Sequence, residues 1–122
     1  MKKLPDSEFE IMKVVWTNDP PVTTNTIMES LGKEKDWKAA TVISLMLRLV
    51  ERGFLRTEKH GKERTYYPLI ERDAYLKFET GNFLRQFHEN SFFSFVNTLY
   101  NDKNLTESDL DDLLQWVRER RN

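Results

Sequence analysis

The stretch Asp36-Trp37-Lys38-Ala39-Ala40-Thr41-Val42-Ile43-Ser44-Leu45-Met46-Leu47-Arg48-Leu49-Val50-Glu51-Arg52-Gly53-Phe54-Leu55 decides the fold. Val42, Leu45, Met46, Leu49 and Val50 recur at i, i+3, i+4, i+7 and i+8, which is the inward stripe of a helix. That spacing predicts a helix from about Lys38 to Arg52, closed by Gly53 with a positive φ. Two short strands follow, Phe54 to Lys59 and Glu63 to Leu69, around the turn His60-Gly61-Lys62. A groove-sized helix with a basic hairpin beside it is the layout of a winged helix-turn-helix.

Upstream, a first helix is expected from about Ser7 to Thr17, capped by Asp6 or Ser7 with Pro5 outside. Phe9, Met12 and Trp16 would line one face. Pro20-Pro21 stops it, and Val22 is placed to make a short strand contact. A second helix starts at a Thr23 or Thr24 cap, carries Ile27, Met28 and Leu31 on its apolar edge, and ends at Gly32. Trp37 reads as a staple before the third helix. Helix, helix, helix, hairpin gives a mainly α fold with a small β wing.

From Glu71 the composition shifts. Six of the eight phenylalanines lie beyond it. Helices are expected from Arg72 to His88, from about Ser91 to Tyr100, and after Thr106. The run Thr106-Glu107-Ser108-Asp109 is a variant capping box. Leu110, Leu113, Leu114 and Val117 repeat the helical stripe, with Trp116 beside it. These 52 residues are too few to bury that aromatic surface alone. The expected organisation is therefore a winged helix over 1–70 and a helical dimerisation domain over 71–122. Its interface would draw on Phe78, Phe83, Phe87, Phe92, Phe95, Leu110, Leu113, Leu114, Trp116 and Val117. A monomeric fold-back is the other way to cover those side chains.

Composition narrows the function. Cysteine is absent, which excludes disulfides, thiolate metal sites and cysteine nucleophiles. No apolar run approaches the roughly 20 residues of a membrane span, and no signal-peptide pattern opens the chain. A cytoplasmic protein without membrane insertion is expected. His60 and His88 fall in different elements with no acid or second histidine at ligand spacing. The acids Glu107, Asp109, Asp111 and Asp112 lack the glycine and periodicity of a calcium loop and suit a helix start instead. No catalytic residue, metal site or cofactor is expected.

The net charge of −1 hides an asymmetry: residues 1–70 carry 12 basic and 10 acidic side chains, and residues 71–122 carry 7 and 10. Within 35–64 stand eight basic and four acidic residues. Local charge is what a phosphate senses, because salt confines fields to about 8–10 Å. Lys38, Ala39, Thr41, Ser44 and Arg48 would face base edges from the third helix. Lys59, Lys62 and Arg64, with His60, would reach the backbone from the wing. Thr24 would offer the second helix's N-terminus to a phosphate. Bland alternatives stand beside these: a solvated Lys38, an Arg48 paired with Glu51 or Asp36, and wing charges that only discourage edge pairing.

The chain resembles the penicillinase-repressor family of bacterial transcriptional regulators. The resemblance is carried by Leu4-Pro5-Asp6-Ser7-Glu8-Phe9-Glu10-Ile11-Met12 leading to Val15-Trp16, by Asp36-Trp37, by Thr41-Val42 and Leu45, by Arg48-Leu49-Val50-Glu51-Arg52-Gly53-Phe54-Leu55, and by Tyr66-Tyr67-Pro68-Leu69. It implies an N-terminal winged helix on an inverted-repeat DNA operator and a C-terminal three-helix domain that intertwines in a homodimer. It also implies, in one branch, a membrane metalloprotease receptor that leads to repressor cleavage by itself or through a downstream protease. Three features depart from the pattern. Ala40 and Ile43 stand where family members often carry basic residues, which with Leu47 makes the helix flank more apolar. The cysteine cluster of the copper-responsive branch is missing. Val96-Asn97-Thr98-Leu99 replaces the Asn-Phe cleavage bond, and the one Asn-Phe of the chain is Asn82-Phe83. The expected function is a homodimeric repressor released by proteolysis or dimer disruption; a winged-helix protein-interaction module without DNA binding is the alternative.

Overall fold

The computed structural model describes residues 1–121. The elements run α1 (Asp6–Thr17), α2 (Thr24–Ile27), a π-helical turn (Met28–Gly32), a last helical turn (Lys33–Lys35), α3 (Ala39–Glu51), β1 (Leu55–His60), β2 (Glu63–Pro68), α4 (Arg72–His88), α5 (Phe92–Asn101) and α6 (Glu107–Arg120). The chain forms two compact units, Met1–Phe78 and Glu79–Asn122.

In the first unit, α1 buries Ile11, Met12 and Val15 against Val42, Leu45, Met46 and Leu49 of α3 and Phe54, Leu55 and Tyr66 of the hairpin. Pro5, not Asp6 or Ser7, occupies the cap position of α1, and no side chain closes it. The first helical bond runs from Phe9 N–H to the Pro5 carbonyl at 2.9 Å. Proline's fixed φ of −56° pre-sets the chain so that Asp6 is already helical. The expected Phe9–Met12–Trp16 face also splits. Met12 is core, while Phe9 and Trp16 sit half-buried on the flank, each with its ring 5.8 Å from that of Tyr75.

The second helix does not end at Gly32. Thr23 caps it, its hydroxyl accepting from Thr26 N–H, and helical structure continues to Lys35. Gly32 is buried at φ −55°, and a Cβ there would meet Met28 Cε at 3.0 Å. The group in the way is the end of the flexible Met28 side chain, and at this helical φ Gly32 does not terminate the helix. The stop falls at Asp36, which takes the left-handed conformation at φ 54°. Trp37 N–H then returns to the Gly32 carbonyl at 3.0 Å, and its side chain packs half-buried on the core.

Helix α3 ends as its sequence requires: Gly53 has φ +82°, and Phe54 N–H reaches the Leu49 carbonyl at 2.9 Å. The hairpin is antiparallel, with Leu55 opposite Pro68 and His60 opposite Glu63 around a turn at Gly61, φ +66°. Val22 bridges Tyr66, so a third extended segment seals the hairpin base, as expected for it. The start of α4 also packs in this unit. Tyr75 is buried, its hydroxyl accepts from Leu4 N–H at 2.8 Å, and its ring lies 5.5 Å from Phe54.

The second unit is three helical segments. Ser91 caps α5 through Ser94 N–H. Thr106 and Asp109 exchange the two bonds of a capping box at the start of α6, at 3.1 and 2.9 Å. Phe83, Phe95 and His88 form a small ring cluster, and His88 Nδ1 lies 3.0 Å from Ser94 Oγ. No hydrophobic side chain described in this unit is fully buried.

Candidate nucleic-acid interface

The outward side of α3 is set by helical periodicity. Once Val42, Leu45, Met46 and Leu49 are buried, the remaining positions must face away. Lys38, Ala39, Thr41, Ser44 and Arg48 are all exposed. Lys38 occupies the N-cap, and its carbonyl accepts from Thr41 and Val42 N–H groups at 3.0 and 3.2 Å, leaving its side chain clear of the helix start. Arg48 pairs with neither Glu51 nor Asp36, nor with any acid among the described residues. Thr24 stands in the first turn of α2, its side chain half-buried.

The wing is polarised by its pleat. Successive side chains alternate between faces. Leu55, Thr57 and Lys59 share one face with Pro68, Tyr66 and Arg64, and this is the face that buries Leu55 and Tyr66. Lys59 and Arg64 stand directly opposite one another at its far end, past the buried pair. Arg56, Glu58 and His60 share the other face with Tyr67, Thr65 and Glu63. Both acids of the hairpin thus lie on the side away from Lys59 and Arg64. Like charges directly opposite in a ladder are unfavourable. Neither cation is relieved by an acid among the described residues, and both are exposed, as is Lys62 in the turn.

Two of the eight basic residues of this segment are engaged elsewhere. Arg52 Nε donates to the buried Glu8 at 2.6 Å. Arg56 donates to Glu58 at 2.5 Å and stacks 4.0 Å from the ring centroid of Tyr67, its cross-strand partner. The hydrogen bond from Arg56, helped by the charges of Arg56 and His60, holds the Glu58 carboxyl below its ordinary range. Charge counting could not separate these two arginines from the free cations. A buried acid at position 8 of a core-facing helix turn was the one available signal, because such an acid needs a cation from elsewhere in the fold.

In the second unit Phe83, Phe87, Phe92, Leu114 and Trp116 are exposed, Phe87 by 64%. Phe93, absent from the set expected from sequence, is exposed by 74%. Phe95, Leu110, Leu113 and Val117 are half-buried within the unit. Phe78 instead packs half-buried on the first unit's core beside Tyr75. No described helix is long and apolar enough to cross a membrane.

The penicillinase repressor family model matches residues 4–119. Penicillinase repressor of Bacillus licheniformis is 33% identical over 100% of this chain and 97% of its own. Methicillin resistance regulatory protein MecI of Staphylococcus aureus is 28% identical over 91% of this chain and 89% of its own. Among solved structures, the DNA-binding domain of the repressor BlaI is 35% identical with a TM-score of 0.52, over 62% of this chain and 94% of that one. The monomeric form of Bacillus licheniformis BlaI in complex with the blaP half-operator is 32% identical, with a TM-score of 0.51, over 61% and 89%.

Proposed function

The chain belongs to the penicillinase repressor family, and we propose that it acts as a DNA-binding transcriptional repressor, a homodimer on an inverted-repeat operator. The observation that carries the reading is the unrelieved Lys59–Arg64 pair. Two cations held opposite one another without an acid cost stability in the free protein, and a phosphate backbone would offset that cost. Arg48 and Lys38 on the open side of α3 add cations with no acid partner among the described residues. A solved relative, in its monomeric form, is bound to a half-operator.

Dimerisation rests on the second unit. Phe83, Phe87, Phe92 and Phe93 are all exposed there, and a second copy is the occupant the proposal assigns to them. Two winged helices joined in this way grip half-sites about 34–36 Å apart or a multiple of that. The second contact becomes intramolecular, which raises affinity about 10²–10⁴-fold. Release then follows from splitting the dimer, and cleavage of the tail by a membrane metalloprotease receptor or a protease downstream of it is one means. A protein located in the cytoplasm fits this role.

Titration of the full chain with duplex DNA across a salt series tests the reading. Steeply salt-dependent binding, competed by heparin, is expected. Salt-independent association with a protein partner and none with duplexes would instead favour the interaction-module alternative.

A further inference from the structure

The open side of α3 carries more than cations. Ala40, Ile43 and Leu47 stand at i, i+3 and i+7 and form one stripe of the helix. All three are exposed, Ile43 by 41% and Leu47 by 39%. This apolar stripe runs beside Thr41, Ser44 and Arg48, so the arc opposite the buried Val42, Leu45, Met46 and Leu49 is half apolar and half polar. Ile43 and Leu47 lie outside the buried core cluster, and the aliphatic surface they leave in water forgoes its burial.

Resting on the DNA-binding reading above, we infer that Ile43 and Leu47 are specificity-determining residues that seat against thymine C5-methyl groups in the major groove. The base edges there present hydrogen-bond donors and acceptors, and only thymine presents a methyl. An isoleucine pressed on a guanine, cytosine or adenine edge would strip water from a polar group and give it no partner. Pressed on a thymine methyl, it buries apolar surface on both sides. The exposed cations of the same unit, Arg48 and Lys38 on the helix and Lys59 and Arg64 on the wing, suit phosphates, contacts that fix register without reading sequence. The half-site of this repressor is therefore selected for thymine under the apolar stripe, in place of the guanine that a basic side chain at position 43 would favour.

The test uses the full-length chain. Selection from a pool of randomised duplexes yields a preferred sequence. Each thymine of that sequence is then replaced singly by deoxyuridine, which removes the C5-methyl and nothing else. At one or two thymines per half-site the replacement should weaken binding about 4-fold, the value of one buried methyl-sized group. In Ile43→Ala or Leu47→Ala protein, the same thymine and deoxyuridine duplexes should bind within experimental error of each other. Since the deoxyuridine change sits on the DNA, the result does not depend on a variant folding. Equal binding of thymine and deoxyuridine duplexes at every position by the native chain overturns the inference while leaving DNA binding intact. Failure to select or bind any duplex at low salt overturns the DNA-binding reading itself. A shift in sedimentation of the Ile43→Ala, Leu47→Ala protein, with no thymine dependence, overturns the inference in favour of a second copy on the stripe.

Discussion

Arg52, one residue past the end of α3, donates from Nε to Oε1 of Glu8 on α1 at 2.6 Å, and from Nη2 to Oε2 at 3.5 Å. Glu8 is 1% exposed, and the Arg52 side chain keeps 36% of its surface in water. The pair ties the first helix to the helix that faces outward, 44 residues later. Removing the guanidinium strands a buried carboxylate. Arg52→Ala should lower the stability of the chain by about 2–3 kcal/mol, read as a shift in urea unfolding. Glu8→Leu paired with Arg52→Met should recover most of that stability, because neither charge is then buried alone. A single substitution without effect would show that the carboxylate is hydrated after all.

The free cations should behave differently from Arg52. Arg48→Ala and Lys62→Ala are expected to leave unfolding midpoints unchanged, since both side chains are exposed and unpaired among the described residues. Each should weaken duplex binding. Deleting one cation that touches a phosphate should also lower the slope of log affinity against log salt by about 1. Fluorescence anisotropy over a salt series measures both quantities. An unchanged slope would mean that the side chain does not reach a phosphate.

Glu58 supplies a prediction of opposite sign. Its carboxyl titrates below the ordinary value of 4.5, chiefly through the hydrogen bond from Arg56. The stabilisation from that hydrogen bond is therefore present above the unfolded-state value and disappears as pH falls through the lower folded one. At neutral pH the carboxylate is ionised and offsets positive charge in the wing. Glu58→Gln should strengthen duplex binding a few-fold at low salt and steepen its salt dependence. Weaker binding by this variant would mean that the Arg56–Glu58 pair positions the wing.

Truncation separates the two units. A chain ending at Phe78 keeps the Tyr75 hydroxyl on Leu4 N–H and the ring against Phe54, and should fold. A chain ending at Glu71 has neither. The cost should be about 3–5 kcal/mol, the range for deleting a large buried aromatic, seen by circular dichroism melting. Equal melting of the two fragments would make Tyr75 dispensable. The fragment ending at Phe78 should bind duplexes far more weakly than the full chain, because its two-site linkage is gone.

The exposed rings of the second unit give the last test. Phe87→Glu and Phe93→Glu place charges on side chains already exposed by 64% and 74%, so the fold of the unit should tolerate them. Analytical ultracentrifugation at micromolar concentration should show the native chain at twice 14.6 kDa and the double variant at 14.6 kDa. A native chain that sediments as a single polypeptide would end the dimer proposal.

The local elements were legible in the order of the residues. Period-3.6 stripes marked α3 and α6, the glycines at 53 and 61 marked positive-φ positions, and Thr106 with Asp109 announced a capping box; each acts through neighbours within a few residues. Outward-facing Lys38, Thr41, Ser44 and Arg48 followed from the buried stripe by subtraction. Other assignments waited for the folded chain. Folding gave Arg52 to a buried acid and Arg56 to Glu58 and Tyr67, leaving Lys59 and Arg64 without an acid partner among the described residues. It placed Tyr75 in the first unit and carried the helix through Gly32 to a stop at Asp36. The division follows from range: helix periodicity and backbone conformation are fixed by adjacent residues, whereas a cation's partner and a ring's burial depend on groups brought together from 44 or 71 positions away.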